Sequence, residues 1–211
     1  MQLGSFSNGI YVVCNWIARL AYLNLLWILF TLSGFVIFGF FPATIAMLAT
    51  LRQYLLKNHP PVFQTFWQYY KKEFHNSNKL GLIFVAFGSI LYVNITFLQS
   101  ASNETAAFLL YSSIIMSCIY FLLICYTLAS YVEFDQPLRT HIKNALLITI
   151  YSPIPSLFMI FGTAAIYFAV ATISGLGFFF SVSLLGLVIL SSASLAFKRI
   201  TRKQEEMSNE T

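Results

Sequence analysis

The chain has 211 residues, 58% of them apolar and only 9% charged, with Lys and Arg outnumbering Asp and Glu by 12 to 7 and a mean hydropathy of +0.75. Soluble proteins average about 45–50% apolar and about 25% charged residues, so this chain lacks the polar residues to cover a water-facing surface, and a soluble globular fold is excluded. The net charge of +5 fits a basic bias on one membrane face and attraction to anionic lipid better than it fits nucleic-acid binding.

A bilayer core about 30 Å thick is crossed by about 20 apolar residues of helix. Uncharged runs cover residues 20–51, 80–103, 105–132 and 144–197, and the last contains the helix-breaking string Ser174-Gly175-Leu176-Gly177. Splitting it there predicts helices near 15–40, 80–98, 106–131, 152–173 and 177–196. The expected fold is all-α: a polytopic transmembrane helical bundle of about five crossings with cytoplasmic amphipathic helices. No run shows the alternation of a membrane barrel, and backbone polar groups in lipid must be satisfied within the segment.

In the first helix, Arg19 is the one charged residue placed at membrane level, near the outer end, with Asn15 a turn before it on the same face. An intramembrane charge is a functional candidate by default, while a long side chain reaching the headgroups is the competing account. Asn24 and Asn94 are expected to hydrogen-bond between helices. Asn15, Arg19, Asn24 and Asn94 form the candidate intramembrane polar site. The first 18 residues have no basic region and no small-residue cleavage site ahead of the apolar run, so the first helix is expected to be retained.

Residues 43–75 are expected to hold two cytoplasmic helices. The first, 43–57, is mostly apolar and suits a re-entrant or flat position. After the breaker Asn58-His59-Pro60-Pro61, the spacing of Phe63, Phe66, Trp67, Tyr70 and Phe74 puts every large ring on one face, with Gln64, Gln68, Lys71, Lys72 and His75 opposite. This ring face is the candidate membrane-interface or partner-docking surface. A shorter helix is expected at 136–149, capped by Asp135 with Pro137 in its first turn. The domain reading is one integral membrane domain, 1–197, followed by a tail, 198–211, that turns from basic to acidic and is expected to be disordered at its end.

Eleven of the twelve basic residues lie in 42–79, 133–151 and the tail. Five crossings put these segments on one face, which the positive-inside rule makes cytoplasmic, with the N terminus outside. Cys14, Cys118 and Cys125 fall in predicted helices without paired spacing, so neither a disulfide frame nor a zinc site is expected. Glu133 and Asp135 beside Arg139 and His141 are the nearest approach to a catalytic cluster, and capping with local ion pairing explains them. No nucleotide loop, metalloprotease or nucleophile motif occurs; neither catalytic residues nor a cofactor nor a metal is expected, and the chain reads as a non-enzyme.

Four strings carry a family likeness: Asn24-Leu25-Leu26-Trp27, Pro42-Ala43-Thr44-Ile45-Ala46, the Phe66 and Phe74 aromatic helix, and Lys143-Asn144-Ala145-Leu146. In order over residues 15–155 they resemble the YesL-like family of bacterial integral membrane proteins, domain of unknown function 624. Family members often carry Gly directly before the proline, where this chain has Phe41 and an earlier Gly39. The resemblance implies a bacterial plasma-membrane protein with no assigned catalytic or binding residues, encoded near carbohydrate-uptake ABC transporters and polysaccharide-degrading enzymes. The expected function is therefore an accessory or regulatory component of carbohydrate uptake, with the lipid bilayer and a sugar permease or its ATPase as partners. The alternative is a small transporter or channel working as a homo-oligomer, which would need a polar midplane site.

Overall fold

In a computed structural model the described residues are 3–100, 104–173 and 175–209, with side chains described from residue 10 to residue 200 and at Arg202. The helices are α1 (Leu3–Ser33), α2 (Ile37–Leu55), α3 (Val62–Ser100), α4 (Glu104–Glu133), α5 (Leu138–Tyr151), α6 (Pro153–Thr172) and α7 (Leu176–Asn209). Five of them, α1, α3, α4, α6 and α7, are long and apolar enough to cross a membrane. The chain divides into two compact units, residues 1–74 with 161–188, and 75–160 with 189–211.

In the first unit the helix expected near 15–40 is two helices. The chain reverses after Ser33 through Phe35 (φ 54°) and Val36 (φ 65°), both in the left-handed region, with Gly34 N–H donating to the Phe30 carbonyl at 3.2 Å and Val36 N–H to the Thr31 carbonyl at 2.9 Å. The reversal needs bare backbone on both arms. A Cβ on Gly34 would lie 2.3 Å from the Gly39 Cα, and one on Gly39 would lie 2.4 Å from the Thr31 carbonyl oxygen. Gly39 thus supplies the close approach at this turn in a chain that has Phe41 directly before the proline.

From this turn α2 packs back against α1. Ala43 and the run Ile45–Leu51 are all buried, so the segment expected at 43–57 does not lie flat: it is a core helix of this unit. Trp27 joins the two arms, its Nε1–H donating to Thr44 Oγ1 at 3.0 Å while the Thr44 hydroxyl donates to the Phe40 carbonyl at 2.7 Å. Two of the family strings therefore touch each other. The ring-bearing helix is not separate from the next crossing either. Residues 62–79 contain no Gly or Pro, nothing interrupts the backbone ladder, and α3 runs unbroken through 39 residues.

In the second unit α5 packs on the cytoplasmic-side end expected for α4, and Asn144 Nδ2 of the Lys-Asn-Ala-Leu string donates to Gln136 Oε1 at 3.2 Å. The residue at the N-cap position of α5 is Pro137, with no side-chain cap, so Asp135 does not cap it. The Tyr120 hydroxyl donates to the Phe84 carbonyl, passing over Gly88, where a Cβ would stand 3.5 Å from the hydroxyl oxygen. The long apolar run breaks between α6 and α7 at Gly175, whose φ of 91° suits glycine; Ser174 lies outside the described residues. The tail expected to be disordered continues α7 as helix as far as Asn209.

Candidate functional site

Of the residues of the expected polar site, Asn15, Arg19, Asn24 and Asn94, three are placed by a contact, each with its own partners. Asn24 is fully buried in the first unit. Its Nδ2 donates to the Phe178 carbonyl at 2.7 Å, and its Oδ1 accepts from the backbone N–H groups of Val182 and Ser183 at 3.0 and 3.2 Å. An undisturbed α-helix pairs the carbonyl of 178 with the N–H of 182, so the Asn24 amide is set into the ladder of α7 at that step. Only a side chain with both donor and acceptor on one short stem serves both groups. Asn94 is exposed on α3, with its Oδ1 accepting from the Ser113 hydroxyl at 2.9 Å. Asn15 is half-buried on α1.

Arg19 sits midway along α1 rather than near its end. Its guanidinium carbon stands 4.6 Å from the Tyr54 ring centroid, and Nη1 lies 3.3 Å from His59 Nδ1. The Tyr54 hydroxyl donates to the Pro60 carbonyl at 2.6 Å, fixing ring and turn together. Burial pushes the Tyr54 hydroxyl pKa up, with the nearby Arg19 charge partly opposing it. Arg19 and the 56–61 turn, expected on opposite faces of the bilayer, are thus side by side. α2 has carried the chain back along α1 to reach this level.

The same turn opens on its other side into a cleft of about 410 Å³ whose lining includes Gln53, Asn58, Thr65, Gln68, Tyr69 and Lys72. Part of this wall is prearranged: Asn58 Nδ2 donates to Gln53 Oε1 at 2.8 Å, and Gln53 Nε2 donates to the Tyr69 hydroxyl at 3.2 Å. Lys57, with φ of 63°, makes the turn, and its N–H donates to the Tyr54 carbonyl at 3.0 Å.

The ring face is half used inside the protein. Phe30 of α1 lies 5.2 Å from Phe66 and 4.9 Å from Tyr70 between ring centroids, and the Tyr70 hydroxyl donates to the Phe30 carbonyl at 3.1 Å. Phe66 and Tyr70 are buried, whereas Phe63 and Trp67 keep 48% and 37% of their surface exposed. Lys71 Nζ stands 4.3 Å from the Trp67 ring centroid, and Phe74 lies edge-on to Tyr70 at 5.6 Å. The face expected as one surface is a buried pair beside a presented pair. Sequence spacing finds the face, but Phe30 is invisible to it.

In the second unit His141, named beside Glu133 and Asp135, is buried. Its Nδ1 lies 3.0 Å from Ser130 Oγ and its Nε2 lies 3.0 Å from the Gln136 carbonyl, which fixes the proton on Nε2 and makes Ser130 the donor to Nδ1. Burial pushes its pKa down, against smaller upward effects from the Gln136 carbonyl and Asp135. Cys125 is buried and Cys118 exposed. Among the described residues no group of His, Cys, Asp and Glu could hold a metal ion.

A family profile described as "Protein of unknown function, DUF624" matches residues 20–95, the stretch that holds the α1–α2 reversal, the Tyr54 and His59 partners of Arg19, and the ring face. Three Bacillus subtilis (strain 168) proteins are similar over most of their length. "Uncharacterized protein YteU" is 36% identical, covering 82% of this chain and 78% of its own. "Uncharacterized protein YesL" is 32% identical over 98% of both chains, and "Uncharacterized protein YesV" is 32% identical over 92% of this chain and 93% of its own. The chain belongs to the YesL-like DUF624 family. No solved structure matches it. The DUF624 match includes Asn24, Trp27, Gly39 and Thr44, whose contacts here are structural, so the family strings mark how the first unit is built.

Proposed function

We propose that the protein is a non-catalytic multi-pass protein of the bacterial plasma membrane that serves as an accessory or regulatory component of a carbohydrate ABC-type uptake system. The observation that carries this reading is the split ring face. Phe66 and Tyr70 anchor α3 to Phe30, and this anchorage presents Phe63 and Trp67, with Lys71 over the indole, on a helix already held in place. Preorganised aromatic anchors beside a cation are the usual makings of a binding hot spot. The sugar-uptake class comes from the family resemblance. The test is affinity purification of the tagged protein from its own host in mild detergent. A sugar permease or its ATPase should be recovered stoichiometrically with the wild type and lost with Phe63→Ala/Trp67→Ala; recovery of the protein alone would refute the proposal and favour the oligomeric transporter.

The orientation that goes with this proposal places the 52–79 segment, residues 133–151 and the C terminus in the cytoplasm. We infer from the return of α2 to Arg19 that the part of α1 before Arg19 lies on the same side as the basic turn, an alternative to the outside N terminus expected from five crossings. Cys14 is exposed and reports on it. In a Cys118→Ala/Cys125→Ala background, a membrane-impermeant maleimide should leave Cys14 unlabelled in intact cells and label it in inverted vesicles; labelling in intact cells would restore an outside N terminus.

A further inference from the structure

The cleft beside the 56–61 turn is used by neither the helix packing nor the presented rings. Its wall combines three kinds of group. Gln53, Asn58 and Tyr69 are locked into one hydrogen-bonded row. Thr65 and Gln68 add a hydroxyl and an amide that hold no side-chain hydrogen bond among the described residues. Lys72 adds a cation on a largely exposed stem, 3.7 Å from Glu73 Oε1. Behind the turn, Arg19 is held by Tyr54 and His59 with no carboxylate in ion-pair range among the described residues. Counted over the whole unit, Arg19, Arg52, Lys57, Lys71 and Lys72 stand against a single carboxylate, Glu73. Such a place suits an anion that also carries hydroxyl groups: the cation takes the phosphate, and amides and hydroxyls take the polyol. Trp67, Tyr69, Tyr70 and the lysines on the first turns of α3 are the residue types that settle at headgroup level, so the ligand is expected to arrive from the bilayer.

We propose that this cleft is a binding site for the headgroup of an anionic glycerophospholipid, with Lys72 on the phosphodiester and Gln68, Thr65 and Asn58 on the glycerol hydroxyls of a phosphatidylglycerol-type lipid. The site does not depend on the uptake proposal. Occupancy would tie the α2–α3 turn to the lipid composition around it.

The full chain in detergent, equilibrated with equal amounts of phosphatidylglycerol, phosphatidylserine and phosphatidylcholine, can be read by native mass spectrometry of retained lipid. The wild type should keep one phosphatidylglycerol at least about tenfold over phosphatidylcholine and clearly over phosphatidylserine, which has the charge but lacks the diol. Lys72→Gln should lower retention, and Gln68→Leu should bring phosphatidylglycerol down to the phosphatidylserine level. Both positions are exposed, so an unchanged gel-filtration profile and helical circular dichroism should accompany the loss. Equal retention of all three lipids, or retention unchanged in both variants, overturns the site. Equal retention of the two anionic lipids by the wild type overturns the hydroxyl contacts and with them the assignment. Displacement of the lipid by millimolar glycerol 3-phosphate would make a soluble phosphate the ligand and overturn the lipid source.

Discussion

Removing the Asn24 amide should weaken the first unit by an amount set by three hydrogen bonds. Hydrogen bonds between helices in membranes average about 0.6 kcal/mol, with a maximum near 1.7, so the three contacts to Phe178, Val182 and Ser183 give roughly 2 kcal/mol; Asn24→Ala adds a small cavity at a fully buried position. A loss of about 2–3 kcal/mol lowers the midpoint of a chain this size by about 4–12 °C. Asn24→Asp is the sharper test. It keeps the shape and the acceptor, but it turns a carboxylate oxygen toward the Phe178 carbonyl and places a charge in a buried site, where about 2.5–3.5 kcal/mol is a low estimate of the cost. The aspartate should therefore be worse than the alanine. Thermal unfolding in one detergent gives the midpoints, and amide hydrogen exchange over residues 178–183 should rise in both variants. An alanine variant within about 1 °C of wild type, or an aspartate variant as stable as the parent, would refute the argument that the amide completes the α7 ladder.

Three further outcomes follow from the packing. His141 is buried with its pKa lowered, so the unfolded chain binds the proton more readily; stability should be full above pH 6.5, fall as pH drops through that value by at most about 1.4 kcal/mol per unit, and level off below the folded pKa. Melting midpoints from pH 8 to 4.5 should show this fall, and His141→Gln should flatten it. Gly39→Ala sets a Cβ against backbone on α1 and should cost about 1–3 kcal/mol or more, whereas Phe41→Gly should leave the midpoint far less changed. Phe66→Ala empties a fully buried position and should cost about 3–5 kcal/mol, while Trp67→Ala should cost much less and fold normally; equal losses in one melting series would contradict the split of the ring face.

Hydrophobicity made the membrane spans legible because lipid imposes a length on uncharged helix, and Gly175 announced the α6–α7 break. The same signal hid the reversal after Ser33, since residues 20–51 carry no charge on either side of it and only the Gly34 and Gly39 pair marks the place. The ring spacing on α3 revealed a face without revealing its cover, because Phe30 lies on another helix and shares no period with it. Asn24 was readable as a group needing partners. Its partners were not, since they are backbone atoms, which every residue but proline supplies alike. Arg19 could be seen as costly in the membrane, but its meeting with His59, forty residues on, follows from the return of α2, which composition does not encode.

The Asn24 contact also has a history in time. Its partners lie 154 to 159 residues downstream, and a ribosome adding about 5–20 residues per second takes roughly 8–30 s to make that stretch. Throughout that interval the amide has entered the membrane with its eventual partners unsynthesised, while the α1–α2 reversal beside it, closed over a few residues, can form at once. A nascent chain stopped before α7 would keep a buried polar group waiting, so quality control has a chemical mark by which to tell an unfinished copy from a finished one.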